Sequence, residues 1–321
     1  MNRNNRNVGK TLGILAIAFF AVVPFFIQTY FMHILIMIFS FTYLSCAWNI
    51  IGGFAGQLSL GHALFFGIGA YTSTLLFLNL GVSPWLGMIA GGVLSSGFAY
   101  LIGLIIFRYR IRGVFFSMST LCFAEIVRLI ASYFRVFGGA EGLLITLGES
   151  SFWKFQFVNK EPYYYISLIM MLLMLWVTYL LKNSKYFYYF FSIKADEDAA
   201  NAIGVNSSKY KTVAYVISAF FTALNGTFFA QYYMFIEPET TFSVSISVDM
   251  IIRPIIGGLG TIFGPVLGSF IMTPLSEIIR SVVGSGKSGV HLLIYGAALI
   301  AICIWMPRGI VPYVERLFKS K

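Results

Sequence analysis

Glu125 and Arg128 lie three residues apart, and Asp249 and Arg253 four apart, each pair inside a long apolar run. Both spacings put the two charges on one face of a helix, so each pair can neutralise itself. Ionisable groups at membrane depth are otherwise gating contacts, ion sites or parts of a substrate path. A third polar group, Gln57, Ser59 and His62, falls in the stretch 52–71, which holds six glycines and no charge. Such side chains cannot face hydrocarbon without partners, since each unsatisfied group costs several kcal/mol. They either bond neighbouring helices or line a wet path. Covalent chemistry has less support: His33, His62 and His291 are isolated, and no metal-ligand spacing is present. No metal and no cofactor is expected, and a membrane-embedded enzyme lacks the clustered His/Asp/Glu set it would need.

These groups sit in a chain of 321 residues, 58% hydrophobic and 11% charged. A soluble domain carries about 25% charged residues. Repeated uncharged runs of about 20 residues therefore predict an all-α, polytopic transmembrane helical bundle. Candidate spans lie at roughly 12–31, 33–50, 57–79, 85–107, 114–133, 163–181, 213–235, 245–262, 264–281 and 290–306, about ten in all, within a single permease domain over 1–321. The first follows Arg3, Arg6 and Lys10 but is longer than a signal-peptide core, so it reads as a retained helix. Cys46, Cys122 and Cys303 all fall in apolar runs, and an odd number argues against a disulfide framework.

The net charge of +10 is explained by topology. Fifteen of the 22 basic residues fall in the N-terminus, the 108–112 loop, the 182–212 segment and the C-terminus. Ten spans place all four on one side, which the positive-inside rule makes cytoplasmic, with both termini inside. Nucleic acid drops out. The 134–162 loop, balanced in charge, is then extracytoplasmic.

Two features suggest a moving device. Ile50-Ile51-Gly52-Gly53 and Ile255-Ile256-Gly257-Gly258 each open a glycine-rich, interrupted span, the pattern of paired broken helices around a transporter's path. A four-residue match also arises easily by chance. Ser59, Ala63 and Gly67, and likewise Gly260, Gly264 and Gly268, form small-residue stripes suited to close helix contact. In the cytoplasmic segment, "KADEDAANAIGVNSSKYK" (194–211) spells a short helix. Asp196, Glu197 and Asp198 suit its N-terminus, Ala199 and Ala200 favour helix, and Gly204 supplies a left-handed stop. Ser207 or Ser208 is expected to cap the next helix. The element is either a solvated connector or a lever that carries a push into the membrane.

The acidic-Ala start with Gly204 a few residues on resembles the coupling loop of ABC importer permeases. "GQLSLGHALFFGIGAY" (56–71), "RGVFFSMSTLCFAEI" (112–126), "GGAEGL" (138–143) and "GGLGTIFGPVLG" (257–268) together resemble the branched-chain amino acid permeases, in particular their LivM-like subunits. Arg253-Pro254 departs from the family pattern, which is apolar there. The resemblance implies a non-enzymatic permease subunit in a bacterial plasma (inner) membrane, importing branched-chain or other small neutral amino acids. Implied partners are a second, LivH-like permease, two cytoplasmic ATPase subunits and an extracytoplasmic solute-binding protein. The chain has no GxxxxGK[ST] of its own. Substrate-path candidates are Gln57, Ser59, His62, Glu125 and Asp249; Arg128 and Arg253 are gating or ion-pair candidates; residues 196–200 and Gly204 are coupling candidates. A urea or short-amide importer shares these motifs. An ion-coupled secondary transporter, with Glu125 or Asp249 as its proton or sodium site, is the rival from another class.

Overall fold

The computed structural model describes residues 18–148 and 150–283, with 296, 300, 304 and 309–313 beyond them. Among the described residues seven helices are long and apolar enough to cross a membrane, and Gly264–Ile279 is a shorter apolar one. In chain order the helices are α1 (Thr29–Asn49), α2 (His62–Leu80), α3 (Pro84–Arg108), α4 (Val114–Tyr133) and α5 (Glu161–Lys182). They continue with α6 (Lys185–Ala195), α7 (Glu197–Ala202), α8 (Ser207–Tyr233), α9 (Pro238–Thr241), α10 (Val244–Gly257) and α11 (Gly264–Val283). Most of the expected span 290–306, His291, Cys303 and the basic residues of both termini lie outside the described residues, as does the start of the span 12–31.

α1 is buried almost throughout and packs against α5, α8, α10 and α11, while α2, α3 and α8 form a tight group beside it. Here the backbone approach is set by small residues. A Cβ at Gly69 would stand 2.0 Å from the Ala223 carbonyl oxygen, and one at Gly226 2.0 Å from that of Phe66. Polar side chains of α8 then bond across the contact. Ser218 Oγ donates to the Ala47 carbonyl (2.7 Å), and Thr227 Oγ1 to that of Gly69 (3.0 Å). Ser40 Oγ donates to Asn225 Oδ1 (3.0 Å). In lipid, close packing and such bonds replace the hydrophobic drive between helices. Val93, Leu101 and Ile105 of α3 remain exposed, as a lipid-facing stripe requires.

Two ends are distinguishable. The 109–113 turn, α6, α7 and the start of α8 meet at one, the basic face, through ion pairs of Arg112 and Lys211. At the opposite face the 134–160 segment folds over the α2–α3 turn, with Trp85 stacked on Phe155 at 4.3 Å. It also pairs β1 (Leu143–Leu144) antiparallel with β2 (Phe235–Ile236) beyond α8. The 137–143 glycine run is a turn that feeds this pairing.

Both interrupted spans are shorter as helices than their hydropathy implies. α1 passes through a π-turn at Ile50–Phe54, and residues 55–61 are not helical, so α2 begins at His62. α10 stops at Gly257, and the chain is again non-helical until Gly264. Glycines and polar groups break the helix there, although the surrounding run stays apolar.

Candidate functional site

At the basic face α7 is a six-residue helix with its ends fixed. Asp196 caps it, accepting from the backbone N–H groups of Asp198 (2.9 Å) and Ala199 (3.0 Å). The chain leaves through Gly204, whose φ of +89° is the left-handed stop expected there. Asn206, rather than Ser207 or Ser208, caps α8, accepting from the Lys209 N–H at 3.0 Å. Asn has the same short acceptor reach as Ser, and here it stands one residue earlier.

Two cations hold α7 from different elements. Glu197 pairs with Arg112 of the α3–α4 turn (2.9 Å) and with buried Lys211 of α8 (2.5 Å). Asp198 takes a bidentate fork from Arg112 at 3.1 and 2.9 Å. That guanidinium holds the Asp198 carboxyl below the ordinary carboxylate range, and Asp198 raises Arg112 in turn. Ala200 is buried beneath the helix, while Ala199 and Ile203 face outward.

From α6, Lys194 Nζ donates to the Gly53 carbonyl inside the π-turn at 2.7 Å. Burial of the ammonium end lowers this lysine below its ordinary range. The same turn meets the second glycine motif. Asn49 accepts from the Gly260 N–H (3.0 Å) and donates to the Thr261 carbonyl (2.9 Å). A Cβ at Gly53 would stand 2.8 Å from the Gly260 nitrogen. The two Ile-Ile-Gly-Gly segments are thus followed by breaks that touch one another and the α6–α7 segment.

Gln57 lies half-buried beside this junction and donates to the Ala55 carbonyl at 3.3 Å. Ser59 and His62 are fully buried. His62 bonds Ser59 Oγ through Nδ1 and Ser218 Oγ through Nε2, both at 2.8 Å. Ser218 gives its own proton to Ala47, so it accepts from Nε2–H and leaves Nδ1 to accept from Ser59. Both ring nitrogens are thereby occupied within the bundle.

The remaining charges lie toward the opposite face. Arg128 forks onto Glu125 at 2.9 and 2.5 Å and also pairs with Glu239 of α9. Arg253, buried in α10, donates to Asp249 Oδ1 (3.1 Å) and to the Asp249 carbonyl oxygen (2.5 Å). Its guanidinium sits 3.9 Å over the ring of Phe41. Asp249 and Arg253 line a cavity of about 540 Å³ between α1, α2, α8, α10 and α11, with Glu239 in its wall. The structure therefore brings Asp249, Arg253 and, through Glu239, the Glu125–Arg128 pair around one region. Ser59, His62 and Gln57 do not line it.

Arg112, Lys211, Lys194, Asn49 and Glu239 were not singled out by sequence as site residues. The first three had registered only as topology charges. A signal existed for Asn49, a lone amide at the end of an apolar run just before Ile50-Ile51-Gly52-Gly53.

Fold and charges together define a multi-pass α-helical membrane protein with a cavity between its helices that carries charge on one wall. The chain belongs to the family of branched-chain amino acid transport system permease components, whose model matches residues 30–303. It is similar to the high-affinity branched-chain amino acid transport system permease protein LivM of Salmonella typhimurium, with 28% identity over 98% of this chain and 78% of that protein. LivM of Escherichia coli is 27% identical over the same shares. No solved structure matches the chain significantly.

Proposed function

We propose that the chain is one permease subunit of an ATP-driven importer for branched-chain or other small neutral amino acids. The basic face is cytoplasmic, the membrane is the bacterial plasma membrane, and both termini lie inside. The whole chain acts as a single permease domain. A LivH-like permease completes the pore, two ATPase subunits bind the basic face, and a solute-binding protein docks on the opposite one. The relatives' names supply the substrate class, and family membership supplies the kind of assembly.

The observation that carries the coupling half of this reading is the anchorage of α7 and its neighbour α6. Arg112 ties α7 to α3 and α4, Lys211 ties it to α8, and Lys194 ties α6 to the broken end of α1. Ile203 stands 77% exposed at the tip, a knob for an ATPase surface. When the ATPase dimer closes on ATP, α7 follows it. The push reaches three membrane helices and the junction of the two glycine breaks at once. Alternating access results from those breaks changing angle. No bond chemistry occurs in this chain.

Uptake of radiolabelled leucine, and separately urea, in cells lacking this chain or its ATPase tests the reading. Loss of leucine uptake in both deletions is expected. Loss of urea uptake instead changes the substrate but keeps the mechanism. Uptake that needs this chain and survives without any ATPase replaces the importer with an ion-coupled transporter.

A further inference from the structure

We propose that the Asp249–Arg253 pair is an exchangeable receptor for the charged head group of a zwitterionic amino acid, and that the cavity beside it holds the alkyl side chain. The inference rests on the importer reading above and names the subsite that reading leaves open.

A guanidinium buried in a membrane bundle is costly unless it is paired and bonded. Arg253 is 2% exposed in its side chain and is held on three sides: by Asp249, by Thr273 Oγ1 at 3.4 Å, and by the face of Phe41. Its partner is not sealed in the same way. The Asp249 side chain keeps 33% of its surface exposed and lies in the cavity wall. One member of the pair is fixed, and the other is accessible.

The cavity, about 540 Å³, has the size of a small-ligand site. Its lining is divided. Met37, Leu44, Phe66, Phe229 and Ile246 supply an apolar wall, and the ion pair with Ser40 and Ser243 supplies a polar one. That division matches a branched amino acid, which is charged at one end and greasy at the other.

The exchange balances in charge. The α-carboxylate takes the place of Asp249 on Arg253, and the α-ammonium takes the place of Arg253 on Asp249. Each resident charge keeps a partner throughout, and no net charge enters the low-dielectric region. Urea carries no charge to offer either side. A keto acid offers only a carboxylate and would add a negative charge beside Asp249, Glu237 and Glu277, which share the wall.

The test uses the complete transporter in liposomes. Ser245 lines the cavity and is exposed, so Ser245→Cys in a Cys122→Ser, Cys303→Ser background, with Cys46 buried, reports occupancy through its rate of modification by a charged thiol reagent. Leucine is expected to slow modification at concentrations that saturate uptake, whereas urea and 4-methyl-2-oxopentanoate leave the rate unchanged. Equal protection by urea, or none by leucine, overturns the proposal. The paired substitution Asp249→Asn with Arg253→Met removes both charges and strands neither. It is expected to raise the leucine concentration that half-protects the Ser245→Cys site by roughly tenfold or more. Wild-type half-protection in that variant makes the pair structural only and overturns the site. ATP-independent uptake by the wild type sinks the importer reading instead, so the two failures are distinct.

Discussion

The basic face and the cavity use the same chemistry, acid against base, in opposite ways. At the basic face the partners come from separate elements: Glu197 of α7 meets Arg112 of the α3–α4 turn and Lys211 of α8. In the cavity Asp249 and Arg253 belong to one helix, four residues apart. The ion pair itself joins no second element, although Arg253 also touches Thr273 of α11 and Phe41 of α1, and its carboxylate can swing away without moving the backbone. A pair between elements can open only if those elements part. The first arrangement suits a ligand site, and the second suits a strut. The Glu125–Arg128 pair is intermediate, because Arg128 also reaches Glu239 on another element.

The sharpest way to break this comparison is Glu197→Ala. Lys211 is 2% exposed in its side chain, and without Glu197 its ammonium is stranded. Removing one partner of a buried pair costs about 3–5 kcal/mol. Thermal unfolding of the purified complex is expected to shift accordingly, with loss of ATP-driven uptake. Glu197→Gln with Lys211→Met removes both charges, so stability is expected to return while coupling does not. Full uptake in the double variant would show that the pair is glue and not a strut.

A smaller effect is expected at Gly204, where a Cβ would meet nothing within 4 Å. Only the left-handed backbone opposes a side chain there, at a cost of about 1–2 kcal/mol for a β-branched residue. Gly204→Val should therefore leave membrane insertion intact but tilt or fray α7. Its expected signature is ATP hydrolysis without matching uptake. Normal coupled uptake would remove the case for α7 as a lever.

Lys194→Met sharpens the same contrast more gently. It deletes one charge-assisted hydrogen bond from an exposed side chain, which solvent screening reduces to about 1 kcal/mol or less. Leucine uptake per ATP should fall while the affinity for leucine holds, because the lost bond lies at the junction and not at the cavity. A change confined to affinity would reverse the assignment of the two regions.

The legibility of these features follows the range over which each is determined. Hydropathy and Pro84 place α3 within a residue of the expected span, and α4 coincides with 114–133. The i,i+3 and i,i+4 ion pairs were readable because spacing alone brings the partners together. The span expected at 57–79 failed at its start, since hydropathy does not register that 55–61 leaves the helix. Arg112 and Asp198 are 86 residues apart, so nothing local could join them. The cavity is built by six helices scattered along the chain, the short α9 among them, and no single stretch contains its outline. Gly204 was visible because a backbone requirement belongs to one residue.

The smallest effect expected concerns Asp198, whose carboxyl is held below the ordinary carboxylate range chiefly by its hydrogen bonds to Arg112. A depressed folded-state value means that ionised Asp198 favours the docked helix above the ordinary carboxylate range. That contribution is lost only as pH falls through the depressed value. Docking of α7 should therefore be indifferent to pH across the physiological range and loosen only below the ordinary carboxylate range. Spin labels at Ala202→Cys and Ser119→Cys, in a Cys122→Ser background, read the separation of α7 from α4. A constant distance from pH 8 down to the ordinary carboxylate range, broadening only below it, is the expected record. Asp198→Asn should be broader at neutral pH and lose the acid step, while Glu197 still holds the helix through Lys211. If neutralising Asp198 releases α7 completely, the strut depends on the exposed fork and not on the buried pair, and the contrast between the two regions weakens at the basic face itself.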